Sequence, residues 1–118
     1  MVHALAGVFL GAGLGGVARY LATLTLPESS VLLVNTLGSL LIGIAASTID
    51  RTSASHLFLV VGFLGGFTTF SAFSLELLQL ILDGRYLTAL TYSVGTTIVC
   101  VALTAIGHLV GARLLTSG

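Results

Sequence analysis

The sequence predicts an all-α membrane protein with four transmembrane helices, the third of which is broken. Hydrophobic residues make up 56% of the 118 residues and charged residues only 7%, whereas an ordinary soluble domain carries about 25% charged residues. Four long apolar segments, separated by short polar turns, give the number of helices. We therefore expect one four-helix transmembrane domain over residues 1–118, in a multi-pass protein of the cell membrane.

Each apolar segment approaches or exceeds the length that crosses a bilayer, about 20 residues at 1.5 Å per residue. Polar turns at residues 27–30, 50–53 and 83–85 separate the segments. Because these connections are short, consecutive helices must be antiparallel neighbours. The predicted spans are residues 3–25, 31–49, 56–82 and 86–115.

Small residues recur every four positions in three of the spans. This spacing places them on one helix face and lets helix backbones approach closely in lipid. The pattern predicts tight helix packing, either inside the bundle or between two copies of the chain. The repeats are Gly7, Gly11 and Gly15; Ser39, Gly43 and Ser47; and Gly107 with Gly111.

Basic residues are divided almost evenly between the two sides of the predicted bundle. Arg51 and Arg113 fall on the side of the N-terminus, Arg85 falls on the opposite side, and Arg19 lies in the first span toward that opposite end. An excess of Lys and Arg on one side normally sets the orientation. Two hypotheses stay open: insertion in both orientations, which allows an antiparallel dimer, or a single orientation with a weak N-terminus-inside bias.

Several classes of function are excluded by the composition. The net charge is zero and lysine is absent, so the chain has no electrostatic surface for nucleic acid. We find no paired carboxylates, no His and Cys at metal-binding spacing and no activated nucleophile, and we expect no enzyme. The single cysteine, Cys100, excludes an internal disulfide bond.

The third span contains a poor helix-forming segment at bilayer depth. Two glycines and two threonines occur within residues 65–69, and both residue types disfavour helix. A break there would free backbone carbonyls, which are hard oxygen ligands for a small cation. Alternatively, the side chains of Thr68 and Thr69 satisfy the kinked backbone.

Phenylalanines follow one face of the same span, next to serine hydroxyls. Such a stripe is usually core packing, but a ring edge carries the positive part of the ring quadrupole. Ring edges beside hydroxyl donors can therefore hold a partly dehydrated anion. The stripe consists of Phe63, Phe67, Phe70 and Phe73, with Ser71 and Ser74 beside it.

Other polar residues lie inside the spans. The Asn35 amide offers N–H donors to a pore or to a neighbouring helix. Arg19 and Glu76 are close enough to span ends to be structural or interfacial, with the Arg19 side chain reaching the membrane surface. On the fourth span, hydroxyls and one thiol form either a polar track or interhelical hydrogen bonds; these residues are Tyr92, Thr96, Cys100 and Thr104.

Three motifs, in order along the whole chain, resemble those of the CrcB/Fluc fluoride channel family. They are Gly15–Tyr20 (GGVARY), Val34–Gly38 (VNTLG) and Gly62–Glu76 (GFLGGFTTFSAFSLE). The resemblance implies an antiparallel, dual-topology homodimer with two fluoride pores. It also implies passive export of fluoride, which relieves fluoride toxicity, and a structural Na⁺ buried at the dimer centre.

The resemblance assigns roles to particular residues. It implies that the backbone carbonyls of Gly65 and Thr68 bind Na⁺, and that Asn35, Phe70 and Phe73 line the fluoride pore. Ser71 belongs to the same motif, and Tyr92, Thr96 and Cys100 match the polar face of the fourth helix. The chain has Cys100 and Ala72 where family members usually or often carry a hydroxyl, and this puts a complete polar track in doubt.

Two competing functions remain. One is a proton-coupled small multidrug or cation exporter of similar size, which needs an acidic residue deep in a span; here the spans offer only Glu76, near an end. The other is an auxiliary membrane subunit without transport of its own. The partner is expected to be a second copy of the chain, and a paralogous subunit is the alternative.

Overall fold

The computed structural model describes residues 1–117, which form helices and turns without strands. Four helical spans are long and apolar enough to cross a membrane, as predicted. Helices α1 (Val2–Thr25) and α2 (Ser30–Thr48) are followed by the third span (Ala54–Leu82) and then by α6 (Tyr86–Ser117). These bounds lie within two residues of the predicted ones.

The third span is built from four consecutive pieces. A short helix and a π-helix, in which hydrogen bonds reach five residues along the chain, lead into a single α-helical turn. The π-helix was not predicted. The pieces are α3 (Ala54–His56), the π-helix (Leu57–Leu64), α4 (Gly65–Phe67) and α5 (Phe70–Leu82).

The helix break is shorter than predicted, because only two of the five predicted residues leave the helical conformation. Gly65 has helical dihedral angles, φ −61° and ψ −36°, and the two glycines belong to α4. Thr68 is extended, with φ −87° and ψ 158°, and so is Thr69, with φ −150° and ψ 115°. The break therefore lies at Thr68–Thr69.

The helices pack as two close pairs. The π-helix and α4 pack against α1, and α6 packs along α2. A Cβ atom at Gly15 would collide with the Phe63 carbonyl, and a Cβ atom at Gly107 would collide with the Leu40 carbonyl. Gly15 and Gly107 thus pack inside the bundle, whereas Gly7 has no neighbour within 4 Å of such a Cβ.

A tight turn connects the third span to α6. Gly84 has a φ of +75°, a conformation that glycine adopts without steric cost. The Arg85 N–H donates to the Leu80 carbonyl at 2.8 Å, and the Gly84 N–H donates to the Ile81 carbonyl at 3.0 Å. This is a Schellman motif, and it reverses the chain so that α5 packs against α6.

The bundle exposes large apolar side chains over its outer surface. Phe9 is 78% exposed and Leu87 is 74% exposed, while Val34 is the largest side chain that is fully buried among the described residues. In water this surface would be very unfavourable, whereas lipid acyl chains solvate it. The distribution agrees with a multi-pass membrane protein.

Candidate functional site

A groove of about 440 Å³ lies between α2, the broken third span and α6. None of the residues that line it carries a formal charge, and hydroxyl, amide, thiol and backbone groups occur among apolar side chains. The predicted site residues in its wall are Asn35, Gly65, Thr68, Phe70, Phe73, Thr96 and Cys100.

Asn35 ties α2 to the break in the third span. Its Nδ2 donates to the Thr69 carbonyl at 2.9 Å, and its Oδ1 accepts from the Thr69 N–H at 2.8 Å. The two bonds fix the orientation of the amide, because the backbone N–H only donates and the carbonyl only accepts. One Nδ2 hydrogen of Asn35 remains beside the groove.

The Asn35 contact also leaves backbone carbonyls without their helical donors. In a continuous helix the Thr69 N–H would bond to the Gly65 carbonyl, but it bonds to Asn35 instead. Similarly, the Ala72 N–H, which a continuous helix would direct to the Thr68 carbonyl, donates to the Thr69 hydroxyl at 3.1 Å. The carbonyls of Gly65 and Thr68, two residues that line the groove, thus lose these partners.

These two carbonyls suit a hard cation. Backbone oxygens are ligands for small alkali and alkaline-earth ions. The described residues contain no cluster of three or more His, Cys, Asp or Glu side chains that would bind a transition metal. The carbonyls of Gly65 and Thr68 are thus of the ligand type that a small hard cation such as Na⁺ accepts.

Arg19 bonds to the same segment from α1. Its Nε donates to the Gly66 carbonyl at 3.0 Å across 47 residues of sequence. The side chain is thus directed toward the break, and not simply toward the membrane surface. A guanidinium at the last carbonyls of a helix also interacts favourably with the negative end of the helix dipole.

Three aromatic rings follow one another from the break toward α6. The rings of Phe70 and Phe73 meet edge to face, with centroids 6.0 Å apart, and those of Phe73 and Tyr92 do so at 5.2 Å. Phe73 is buried, but Phe70 is 79% exposed. The Phe70 ring therefore lies at the edge of the groove with most of its surface uncovered.

Glu76 and Ser71 lie near the rings but outside the groove wall. The Tyr92 hydroxyl donates to the Glu76 carboxylate at 2.8 Å, which links α5 to α6. The Ser71 hydroxyl lies 3.3 Å from that of Thr69. Of the predicted pore residues, Ser71 and Tyr92 are thus adjacent to the groove and do not line it.

The polar face of α6 has two parts. Thr104 donates to the Ser39 carbonyl at 3.1 Å and to the Cys100 carbonyl at 3.0 Å, so it serves interhelical bonding. Thr96 is buried in the groove wall, and among residues 1–117 its hydroxyl bonds to no other group, whereas Thr97 bonds to the Ser93 carbonyl. Thr96 therefore offers a free hydroxyl to the groove.

Sequence reasoning missed Thr69 as a site residue. Its backbone binds Asn35, its hydroxyl caps α5, and it lines the groove. A threonine just before a helical apolar run is an N-cap signal, and this signal was available in the sequence. Thr97 and Ser39 also line the groove and carried no comparable signal.

Comparison with known proteins identifies the family to which this chain belongs. Residues 6–108 match the family described as "CrcB-like protein, Camphor Resistance (CrcB)". A relative from Hydrogenobaculum sp. (strain Y04AAS1), named fluoride-specific ion channel FluC, is 37% identical over 117 residues, which cover 91% of this chain and 96% of the relative. One of the same name from Pyrococcus furiosus is 39% identical over 115 residues, covering 90% and 94%.

A third relative agrees. The fluoride-specific ion channel FluC of Granulibacter bethesdensis is 42% identical over 115 residues, covering 87% of this chain and 91% of the relative. All three relatives are named as ion channels, and ion channels are not enzymes, which confirms the expectation that this chain is no enzyme. The groove and its broken third helix thus belong to a member of the CrcB family.

Proposed function

We propose that this protein is a fluoride-specific ion channel that lets fluoride leave the cytoplasm passively and so reduces its toxicity. The observation that carries the proposal is the groove itself. Asn35, Phe70, Phe73 and Thr96 meet there beside a broken helix, in a chain whose relatives are named fluoride channels.

The groove offers weak contacts to an anion. Fluoride is small and strongly hydrated, so a narrow pathway must replace its water with other donors. The remaining N–H of Asn35, the free hydroxyl of Thr96 and the ring edges of the phenylalanines provide such donors. Because no residue in the wall carries a positive charge, nothing there binds the ion too tightly to release it.

The start of α5 adds a favourable field. Helix α5 has 13 residues, and its N-terminal residue, Phe70, lies in the groove wall. The N-terminus of a helix carries a partial positive charge of about half a unit. In broken transmembrane helices such ends favour anions, while the carbonyl ends favour cations.

Sodium is the cation proposed for the carbonyl end. The carbonyls of Gly65 and Thr68 would bind Na⁺, and the ion would hold the two halves of the third span in place. Two oxygens leave most of the coordination sphere of a hard cation open. The other ligands are expected from a second subunit.

An antiparallel dimer supplies that subunit. The exposed ring of Phe70 and the uncharged open groove give the second copy a surface to cover. Two inverted copies would bring the same carbonyls together from both sides of the membrane. A paralogous subunit instead of an identical copy is the alternative partner.

The membrane potential drives export without a pump. An inside-negative potential of about 100 mV contributes roughly 2.3 kcal/mol per charge to the exit of an anion. The exporter alternative needs a free carboxylate that alternates between a proton and a cation. Glu76, the acid inside the spans, accepts a hydrogen bond from Tyr92, which disfavours that role.

Fluoride efflux from proteoliposomes tests the proposal. The purified chain is reconstituted into liposomes loaded with potassium fluoride, a potassium ionophore is added, and a fluoride electrode follows efflux. We expect rapid fluoride release, and no chloride release from a parallel sample loaded with potassium chloride. Proton-driven uptake of a cationic drug without fluoride release would support the exporter, and no transport of any kind would support an auxiliary subunit.

A further inference from the structure

A second cavity lies beside the groove, where α2 ends and the third span begins. It has a volume of about 240 Å³. Ile42 and Val60 line both the cavity and the groove, so the two spaces share a wall. The other residues that line the cavity are Ala46, Arg51 and His56.

The side chains that line this cavity are apolar or basic. Arg51 is exposed, and its guanidinium carries a positive charge. His56 is half-buried, and its Nδ1 is buried without a hydrogen-bond partner among residues 1–117. The cavity therefore combines a fixed positive charge with an imidazole whose Nδ1 has no hydrogen-bond partner among the described residues.

Asp50 is the nearby acid, and it is engaged elsewhere. Its carboxylate accepts the Thr52 N–H at 2.9 Å and the Thr52 hydroxyl at 2.8 Å. These bonds, with a smaller effect of His56, hold the pKa of Asp50 below its usual value. Asp50 is thus ionised at neutral pH and partly offsets the charge of Arg51, but it does not line the cavity.

We propose that Arg51 and His56 form an anion-attracting mouth at this end of the groove. The mouth concentrates small inorganic anions, including fluoride, next to the wall formed by Ile42 and Val60. Its role in fluoride entry rests on the proposed channel function, whereas the attraction itself requires no conduction. Charge lining a cleft raises the local concentration of counter-ions, and salt weakens the effect.

Charged thiol reagents measure this attraction directly. Ala46 is exposed and lines the cavity, so Ala46→Cys in a Cys100→Ser chain places one thiol at the mouth. In neutral detergent, its reaction rates are measured with an anionic and a cationic methanethiosulfonate reagent. We expect the anionic reagent to be favoured, and Arg51→Gln to lower the rate ratio roughly tenfold at low salt.

Further variants separate charge from structure. Arg51→Lys should keep most of the ratio, and His56→Gln should lower it less than Arg51→Gln does. Asp50→Asn should raise the ratio, because it removes the offsetting charge and keeps an acceptor for Thr52. The matched control is Arg85→Gln, which removes the same charge at the opposite end of the same bundle and should change the ratio much less than Arg51→Gln does.

Three results would overturn the mouth: no reaction of the introduced thiol with either reagent, a ratio that Arg51→Gln leaves unchanged, or an equal effect of Arg85→Gln. Fluoride efflux at low salt, measured in parallel, separates this proposal from the channel. If the ratio of the two reagent rates depends on Arg51 but no fluoride leaves the liposomes, the anion-attracting mouth is supported and the channel function is refuted. If fluoride leaves the liposomes but the ratio does not depend on Arg51, the channel function is supported and the mouth is refuted.

Discussion

Asn35 uses both ends of its amide to bind one backbone unit, the N–H and carbonyl of Thr69. The residue therefore shapes the break and also faces the groove. A substitution that preserves the size of this side chain but changes its charge affects both the helix break and the wall of the groove, so it does not separate the two roles. We therefore expect a large effect on transport.

We predict that Asn35→Asp lowers fluoride efflux at least about tenfold. The carboxylate cannot donate to the Thr69 carbonyl, and it repels an anion by about 1 kcal/mol at 4 Å even in water, more in a dry groove. Efflux from liposomes measures the effect, and size-exclusion chromatography checks assembly. Efflux within twofold of the unmodified chain would contradict the role of Asn35.

Phe70 and Phe73 offer ring edges in very different environments, one exposed and one buried. We predict that Phe70→Ile and Phe73→Ile each slow fluoride efflux at least about tenfold while dimers still form, because an aliphatic side chain has no positive edge to replace water around the ion.

Phe9→Ile is the matched control for Phe70→Ile. Phe9 is 78% exposed and Phe70 is 79% exposed, but Phe9 lies on α1, away from the groove. The control variant should retain full efflux. Unchanged efflux in both groove variants would remove these rings from the pathway.

At the scale of single residues, the sequence shows which polar residues are important, but not which groups they bond to. Asn35, Arg19 and Glu76 stand out because polar groups inside a span are costly. That Arg19 binds the Gly66 carbonyl, or Glu76 the Tyr92 hydroxyl, depends on which helices are neighbours in space. A single sequence without a fold does not contain that information.

Among the elements, the broken third span shows why propensity predicted a break and its end at Thr69 but misplaced its start. Glycine permits an irregular backbone without requiring one. Gly66 remains helical, and a Cβ atom there would collide with the Ala12 carbonyl on α1, so this glycine serves close packing. The threonines form the break, where Asn35 replaces the lost helical bonds of Thr69.

Close packing between α1 and the third span is testable with one matched pair on α1. We predict that Gly15→Ala destabilises the protein by roughly 1–3 kcal/mol, since the added Cβ atom meets the backbone of Phe63 and Phe67. Gly13→Ala adds the same atom where nothing lies within 4 Å, and it should be neutral or slightly stabilising.

Unfolding of both variants in a denaturing detergent series measures the difference. The loss for Gly15→Ala should be accompanied by reduced recovery of folded protein. Equal stability of the two variants would mean that α1 and the third span are not held at the described distance.

At the scale of the whole molecule, the nearly even distribution of basic residues allows either orientation of the chain in the membrane. We predict that the chain inserts both ways. In a Cys100→Ser background, Glu28→Cys and Thr52→Cys place thiols in turns at opposite ends of the bundle. A membrane-impermeant maleimide added to intact cells should label each position to about half.

A single orientation would give a different labelling pattern. Full labelling at one position and none at the other would demonstrate a single orientation. An antiparallel dimer of identical chains would then be impossible, and a paralogous partner of opposite orientation would be required.

The four-span architecture was predictable because lipid imposes length and composition on every crossing helix. The pairing of the helices was less predictable, because the small-residue repeats indicate which helix faces make contacts but not which helices they contact. Gly15 meets Phe63 and Gly107 meets Leu40, and only the fold brings these residues together.

The length of α6 has a consequence for how the protein meets the membrane surface. Its 32 residues extend about 48 Å, and even a steep tilt of about 40° leaves roughly 37 Å along the bilayer normal, beyond a hydrocarbon layer of about 30 Å. Gly111 contacts Ser47 and Ile44 near the end of α2, so the helix beyond it continues without that neighbour. We therefore expect Arg113, with Leu114 and Leu115 beside it about 60% exposed, to reach the headgroup region, where a basic side chain next to apolar ones holds a helix end at the membrane surface.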